Sequence, residues 1–275
     1  MLRKKKFEQS TISGVQMGNG SIQFQGVHLN VYSFFTDGVL IDTGARSLEK
    51  SFISFFQQLK INKVMITHFH EDHTGCAAYL QEEMRVPLYM DSKMLNICTK
   101  NPNYPLYRQL FWGRRKPFTA QPTSESFKSS NSTWHVIQTP GHSIDHLAYL
   151  NKDTGQLFSG DLYCLEKTKV ILKEESVPQI IDSLQKVLSY DFKEVFCNHA
   201  GYLKEGRTSL RNKLNYLLEI QGYILKYYKE GKSPEEIKKT LFPKNYPIMF
   251  FSSGEFDSKH IIQSVIDGEY SNAHV

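Results

Sequence analysis

Val64-Met65-Ile66-Thr67-His68-Phe69-His70-Glu71-Asp72-His73-Thr74-Gly75 is the stretch on which the reading of this chain turns. A short apolar run of β type stops at Ile66. Three imidazoles and a carboxylate (His68, His70, Asp72, His73) then follow within six residues. Imidazole is a borderline-soft ligand, neutral near pH 7, and carboxylate adds compensating charge, so the cluster suits a divalent metal such as zinc. Ligands two residues apart point to one side of an extended or tightly turned backbone. The adjacent pair Asp72-His73 can turn toward a second ion. A tag-like histidine cluster would be a contiguous run at a terminus, and this one is internal.

The same grammar recurs three times downstream. Trp134-His135-Val136-Ile137-Gln138 reads as a strand, and Thr139-Pro140-Gly141-His142 turns out of it. Leu157-Phe158-Ser159 reads as a buried strand that Gly160-Asp161 ends. Glu194-Val195-Phe196-Cys197 gives way to Asn198-His199-Ala200-Gly201. If these strands share a sheet system, their ends converge on one edge, where loops carry function on a rigid scaffold. Singly, a GHS or a GD is common. Together the four pieces supply five histidines and two aspartates, enough for two metal ions with open positions.

In that order, THFHEDHTG, TPGHS, SGDL and NHAG resemble the signature set of the metallo-β-lactamase superfamily, over about residues 10–205. The resemblance implies an α/β fold: an αβ/βα four-layer sandwich of two mixed β-sheets with helices outside and the metal site along one edge. It implies that His68, His70 and His142 hold a first metal, that Asp72, His73 and His199 hold a second, and that Asp161 bridges both. No ligand position is substituted. Asp42, in Val39-Leu40-Ile41-Asp42-Thr43-Gly44, matches the family's early strand-end aspartate and is expected to orient the ligands from behind. A turn or helix cap is the alternative. Asp145 and His146 are expected at the edge of the site or behind it, with purely structural roles as the alternative. His28, His135, His260 and His274 lie outside every motif and read as ordinary packed or exposed side chains.

Two divalent ions lower the pKa of a water between them toward neutrality, so attack needs no Ser or Cys nucleophile, and one ion polarises the scissile oxygen. Asp72 and Asp161 are the residues expected to orient that nucleophile and relay its proton. Zinc is the expected metal; iron and manganese share such ligand sets. The leading expectation is hydrolysis of a small ester, thioester or lactone. A nuclease acting on RNA or DNA is the runner-up, although the chain lacks the large inserted nuclease domain of one such branch. A non-catalytic, metal-stabilised binding module is the third reading. Hydrolysis of β-lactams is not expected, because those enzymes are exported, and a flavodiiron-type redox role would need a flavodoxin-like addition.

A chain of 275 residues is one large domain or a domain plus an appendage. The excess of five positive charges is mild and dispersed, so it does not by itself imply nucleic acid. Met1-Leu2-Arg3-Lys4-Lys5-Lys6 is basic, but no apolar core of a signal peptide follows, so it reads as a solvated terminus. No stretch has the length and apolarity of a membrane helix. Cys76, Cys98, Cys164 and Cys197 have no framework spacing and read as buried thiols of a reducing compartment, so a cytoplasmic location is expected.

Helical spacing of apolar residues predicts helices over residues 47–59, 74–84 and 180–188, with strands over 11–16, 27–35, 38–41, 64–67, 87–90 and 147–150. Residues 1–208 are expected to form the metal-binding domain. Within it, residues 99–133 combine Tyr104, Tyr107, Phe111, Trp112 and Phe118 with Arg108, Arg114, Arg115 and Lys116. They are expected either to fold over the metals as a lid, with Arg114 and Arg115 meeting an acidic or amphipathic substrate, or to pack as a surface excursion. Residues 209–275 read as a helical appendage similar to that of glyoxalase II-like hydrolases. Its first helix ends near Gly231, Ser233-Pro234 opens a second through Leu241, and a third covers about 257–266. The Leu/Tyr stripe of the first is core or the seam of a homodimer.

Overall fold

Ser13-Gly14, Gln25-Gly26 and Asp37-Gly38 each hold both residues at positive φ. That backbone matches the right-handed twist of flanking strands, so each pair closes a two-residue hairpin. Strands β1 (Lys4–Ile12), β2 (Val15–Phe24), β3 (Val27–Thr36) and β4 (Val39–Ile41) therefore run as an antiparallel meander. The first turn corrects the strand expected over residues 11–16, because it splits that stretch between β1 and β2. Lys4, Lys5 and Lys6 are the exposed start of β1 and not a loose tail. Lysines on an edge strand discourage pairing with another chain. The structure is a computed structural model that describes residues 3–272, so Met1, Leu2 and His274 lie outside it.

Beyond β4 the connections become crossovers. Strands β5 (Lys63–Met65), β6 (Leu88–Met90) and β7 (Gln121–Pro122) continue the first sheet in parallel, making seven strands in chain order. Then follow β8 (Ser126–Lys128), β9 (Thr133–Gln138), β10 (Leu147–Asn151), β11 (Gln156–Phe158), β12 (Ile171–Leu172), β13 (Glu194–Cys197), β14 (Gly201–Leu203) and β15 (Phe256–Asp257). Six of these form the second sheet in the order β14-β13-β11-β10-β9-β8, while β12 and β15 pair as a separate ribbon.

Alternation along the strands sorts side chains into layers, since successive residues point to opposite faces. Val39 and Ile41 join Phe34, Met65, Trp134, Tyr149, Phe158 and Phe196 between the sheets. Leu40 and Val64 face outward, onto α1 (Glu49–Phe56) and onto the short helices α2 (Glu71–Thr74), α3 (Ala77–Glu82), α4 (Leu95–Cys98) and α5 (Leu106–Trp112) that cover that side and its edge. On the other side Ala148, Leu150 and Leu157 share a core with α6 (Val177–Leu188), α7 (Gly206–Lys229), α8 (Pro234–Leu241) and α10 (Lys259–Asn272). The remaining helix, α9 (Pro247–Phe251), reaches back to Phe24 and Phe111 through Phe251. Burying Phe34, Phe158 and Phe196 contributes about 1.5–3 kcal/mol each. Two mixed sheets with helices on both outer faces, plus the C-terminal helices, make the αβ/βα sandwich.

Some helices differ from the periodicity reading. The stretch 74–84 divides at Gly75-Cys76 between α2 and α3, and α9 and β15 carry no sequence signal used above. Ser233 caps α8 with a reciprocal Glu236 bond, as its Ser-Pro-Glu-Glu pattern implies. The stripe on α7 (Leu210, Leu217, Ile224) is core, packed against the layer that holds Ile180 and Leu184. Residues 99–133 divide as well: α5 lies beside the metal-ligand loop, whereas β7 and β8 are strands of the two sheets.

The sheets are pinned to each other at one edge. Leu147 N donates to Thr67 O at 2.8 Å, Tyr149 Oη to Ile66 O at 2.6 Å, and Tyr32 N to Asn198 O at 2.7 Å. These bonds satisfy backbone carbonyls just past β5 and β13, where the ladders stop. They also draw the C-terminal ends of β4, β5, β9, β11 and β13 to one place.

Candidate metal centre

All seven donors named from the sequence meet at that edge. His68 Nε2 and His142 Nε2 lie 3.0 and 3.1 Å from His70 Nδ1. Asp161 Oδ2 is 2.9 Å from His199 Nε2 and 3.3 Å from His142 Nε2, and its Oδ1 is 3.4 Å from His73 Nε2. Asp72 Oδ2 stands 3.7 Å from His73 Nε2 and 3.6 Å from His199 Nε2. The donor atoms of His68, His70 and His142 all lie within 4.8 Å of one another, as do those of Asp72, His73 and His199. A further set joins His68 and His73 to Asp161, and another joins Cys164 to Asp161 and His199.

These residues fit divalent cations. His73 Nε2 and Asp161 Oδ1 are buried in the cluster without a hydrogen-bond partner. Buried polar atoms nearly always have one, and a cation placed among these donors supplies it. Four of the five rings are also fixed from behind. His68 Nδ1 is 3.0 Å from Thr67 Oγ1, and His73 Nδ1 is 2.8 Å from Asp42 Oδ2. His142 Nδ1 is 3.0 Å from Glu175 Oε2, and His199 Nδ1 bonds Asn30 O. Tying one ring nitrogen this way sets the tautomer and aims the other at the centre.

Asp42 is fully buried at φ 57°, and it accepts from Thr67 N and Thr67 Oγ1, both at 2.7 Å. It therefore orients His73 directly and His68 through Thr67. His146 Nε2 accepts from Asp161 N at 2.9 Å while its Nδ1 meets Thr139 Oγ1 at 2.7 Å. The ring sets the backbone of Asp161 and belongs to none of the donor sets. Asp145 is buried and accepts from Ser143 Oγ. Sequence reasoning missed Glu175 and Asn30. Glu175 sits in an ordinary charged run, and Asn30 acts through its carbonyl, which residue identity does not mark.

Burial and the neighbouring charges divide the five imidazoles into two groups. Burial, reinforced by neighbouring imidazoles, pushes His68 and His70 well below the usual histidine range, leaving their lone pairs free. Burial opposes charge on His73, His142 and His199 too, but nearby carboxylates outweigh it. Asp161, Asp72 and Asp42 hold His73 well above its ordinary value, Glu175 raises His142, and Asp161 raises His199 to about 9. Of these carboxylates, Asp72 and Asp161 also stand in the donor sets, whereas Asp42 and Glu175 hold the rings from behind.

His70, Asp72, His142, Asp161 and His199 form one wall of a cavity of about 460 Å³, with His68 and His73 buried behind them. Leu29, Trp112, Ile171, Leu217, Ile248 and Phe256, from six different elements, give it an apolar lining. His28 lies on its exposed rim, Cys164 lines it, and Cys76 and Cys197 are buried elsewhere in the packing. The arginines singled out from the sequence need correction. Arg115 is 4% exposed, and its guanidinium donates to the carbonyls of Ile97, Cys98 and Lys100 at the end of α4. Arg114 is exposed, and neither residue lines the cavity. The arginine that does is Arg108, which bonds both Glu71 oxygens at 2.7 Å and Glu255 at 3.1 Å.

Comparison with known proteins agrees with this geometry. Among solved structures, a β-lactamase domain protein from Burkholderia ambifaria is similar with a TM-score of 0.68 at 17% identity, over 94% of this chain and 87% of that one. A metallo-beta-lactamase family protein from Thermus thermophilus gives 0.63 at 16% identity, over 97% and 93%. At such identities the likeness is one of fold. In sequence, the thioesterase pkgB of Emericella nidulans is 27% identical over 149 residues, 52% of this chain and 37% of the relative. The atrochrysone carboxyl ACP thioesterase of Passalora fulva is 24% identical over 215 residues, 75% of this chain and 58% of the relative. The chain thus spans less than two thirds of the length of either thioesterase. The family described as the metallo-beta-lactamase superfamily matches residues 35–199, which run from β3 to the last histidine of the cluster. With the fold, the donor sets and that match in agreement, the chain belongs to the metallo-beta-lactamase superfamily.

Proposed function

We propose that the protein hydrolyses a small, largely apolar ester, thioester or lactone at a dinuclear centre. In this reading His68, His70 and His142 would hold one ion and Asp72, His73 and His199 the other, with Asp161 serving both. Zinc suits the nitrogen and oxygen donors. Bound there, two divalent ions would acidify water and polarise a carbonyl oxygen. The chain's own part is positional. Asp42, Glu175, Thr67 and the Asn30 carbonyl aim the imidazoles. Asp72 and Asp161 accept the proton of the attacking water at their carboxylate oxygens. The apolar walls exclude bulk water and seat the acyl group.

The observation that carries this reading is the seat of the donor cluster, on the wall of a largely apolar, open-mouthed cavity of about 460 Å³. Small-molecule sites have that size and lining. The names of two relatives support a thioester in particular, as those proteins are described as thioesterases. Free thiols at all four cysteines suit a reducing, cytoplasmic setting. Among the described residues no helix is long and apolar enough to cross a membrane.

The test is turnover by metal-loaded protein across thioesters, lactones, simple esters and single-stranded RNA, at low and moderate salt, with His70→Ala as control. Hydrolysis of a carbonyl ester is expected, lost on chelation and only weakly dependent on salt. Elemental analysis should approach two metal equivalents. Metal-dependent RNA cleavage without carbonyl turnover, weakening steeply as salt rises, would replace this reading with a nuclease.

A further inference from the structure

The cavity has a charge pattern that cleavage of a purely apolar ester leaves unused. Its carboxylates are all committed. Glu71 gives both oxygens to Arg108, and Glu175 gives one to His142 and the other to Leu172 N. Asp72 and Asp161 stand in the donor sets. Among its lysines and arginines, Arg108 is matched by Glu71 and Glu255. Lys169 and Lys213 remain. Lys169 is exposed at the mouth, over the Tyr246 ring.

Lys213 is the unusual one. It is 5% exposed, on the face of α7 that also buries Leu210 and Leu217, at steps of three and four residues where an apolar side chain belongs. Its Nζ donates to Tyr163 O and lies 6.0 Å from the Tyr163 ring centroid. No ion pair to it occurs among the described residues. An ammonium has three donors, and one carbonyl uses one of them. Lysine is almost never buried unless paired, because a buried charge without a counter-charge is costly. Here the unpaired cation lines the same cavity as the metal donors.

We propose that Lys213 receives a carboxylate of the substrate, remote from the scissile carbonyl. This rests on the hydrolytic reading above and narrows it: the substrate is an acyl ester or thioester with an apolar body and a second, acidic group. The apolar lining holds the body, and the substrate carboxylate supplies the counter-charge that no residue of the cavity gives Lys213. If Lys213 served only to tie the loop after Asp161 through Tyr163 O, its loss would weaken every ligand alike.

Calorimetric binding to the metal-loaded protein separates these roles. The probes are straight-chain dicarboxylates and monocarboxylates matched in length, roughly six to twelve carbons to suit a cavity of this size. Either probe can present one carboxylate to the metals, but only the first has another for Lys213. Wild type should favour the dicarboxylate at one length by about tenfold or more. Lys213→Met should erase that preference while leaving the monocarboxylate unchanged, and Lys213→Arg should keep part of it. A wild type without any preference, or a Lys213→Met protein that retains it, overturns the proposal. Should Lys213→Met fail to fold, the length series in wild type and Lys213→Arg still decides. In turnover, the variant should raise KM for a thioester ending in a carboxylate and spare its neutral counterpart. Failure to hydrolyse either thioester would count against the hydrolytic reading and leave the binding result standing.

Discussion

Gly160 shows how tightly single residues are held around the metal donors. Its φ is +53°, and a Cβ built there would stand 2.5 Å from His146 Nε2. Gly160→Ala therefore meets two costs: a left-handed backbone, of order 1–2 kcal/mol, and displacement of the ring that accepts from Asp161 N. The variant should melt lower and lose at least one metal equivalent, read by calorimetry and elemental analysis. Wild-type metal content and melting would remove His146 from its supporting role. Asp145 supplies a pH signature. Burial, opposed by the Ser143 hydrogen bond, raises its carboxyl from 3.8 to about 6. Because the folded pKa lies above the unfolded one, folding favours the protonated form. The ionised form carries a penalty that is absent below about pH 4, grows as pH rises, and is complete above about pH 6. Asp145→Asn should thus stabilise the protein at pH 7 by about 2–3 kcal/mol and lose that gain toward pH 4. Urea denaturation at the two pH values checks this, and an equal effect at both would show that burial of charge is not what acts there.

Helix α5 and the metal-ligand loop are tied together by Arg108, at the scale where sequence reading was least secure. Glu71 is 3% exposed and has Arg108 as its counter-charge at 2.7 Å. Removing one partner of a buried pair leaves the other uncompensated, so Arg108→Met should destabilise by about 3–5 kcal/mol. Adding Glu71→Gln should return part of that loss, measured as the coupling in a double-mutant cycle. Simple additivity would show that the pair does not act as one. The adjacent Arg114 and Arg115 stand out in the sequence, but helical phase decides which arginine reaches the cavity. Tyr107, Arg108, Phe111 and Trp112 share one face of α5, and Gly113, at φ +80°, ends the helix before Arg114. The metal donors were legible because each group of them comes in the turn or loop that follows a short apolar run, which is a local pattern. Glu175 acts across 33 residues of sequence and Lys213 across 50, and no local pattern carries such distances. The strand misplaced over residues 11–16 had a readable signal in Ser13-Gly14, the first of three hairpin pairs of the same kind.

At the scale of the whole molecule, the sandwich and the C-terminal helices share both a core and a cavity. Ile180 and Leu184 of α6 and Leu150 of β10 lie in one buried cluster with Leu210, Leu217, Ile237, Ile262 and Val265. Lys213, Leu217, Ile248 and Phe256 also form part of the cavity wall. An appendage that merely rests on a finished domain would contribute neither. Cutting the chain after residue 208 should therefore expose the outer face of α6 and the second sheet as a large apolar patch, with no helix to cover it. The fragment is expected to bind a hydrophobic dye, to melt without a cooperative transition and to hold metal poorly. The full chain should unfold in one step whose midpoint rises with added metal and falls on chelation, because cations bound only to the folded state stabilise it by mass action. A 1–208 fragment that melts cooperatively and loads two equivalents would show that the sandwich is complete by itself. The helices would then be a separable lid over the cavity, and the apolar contacts between α6 and α7 would be an interface between domains instead of a core.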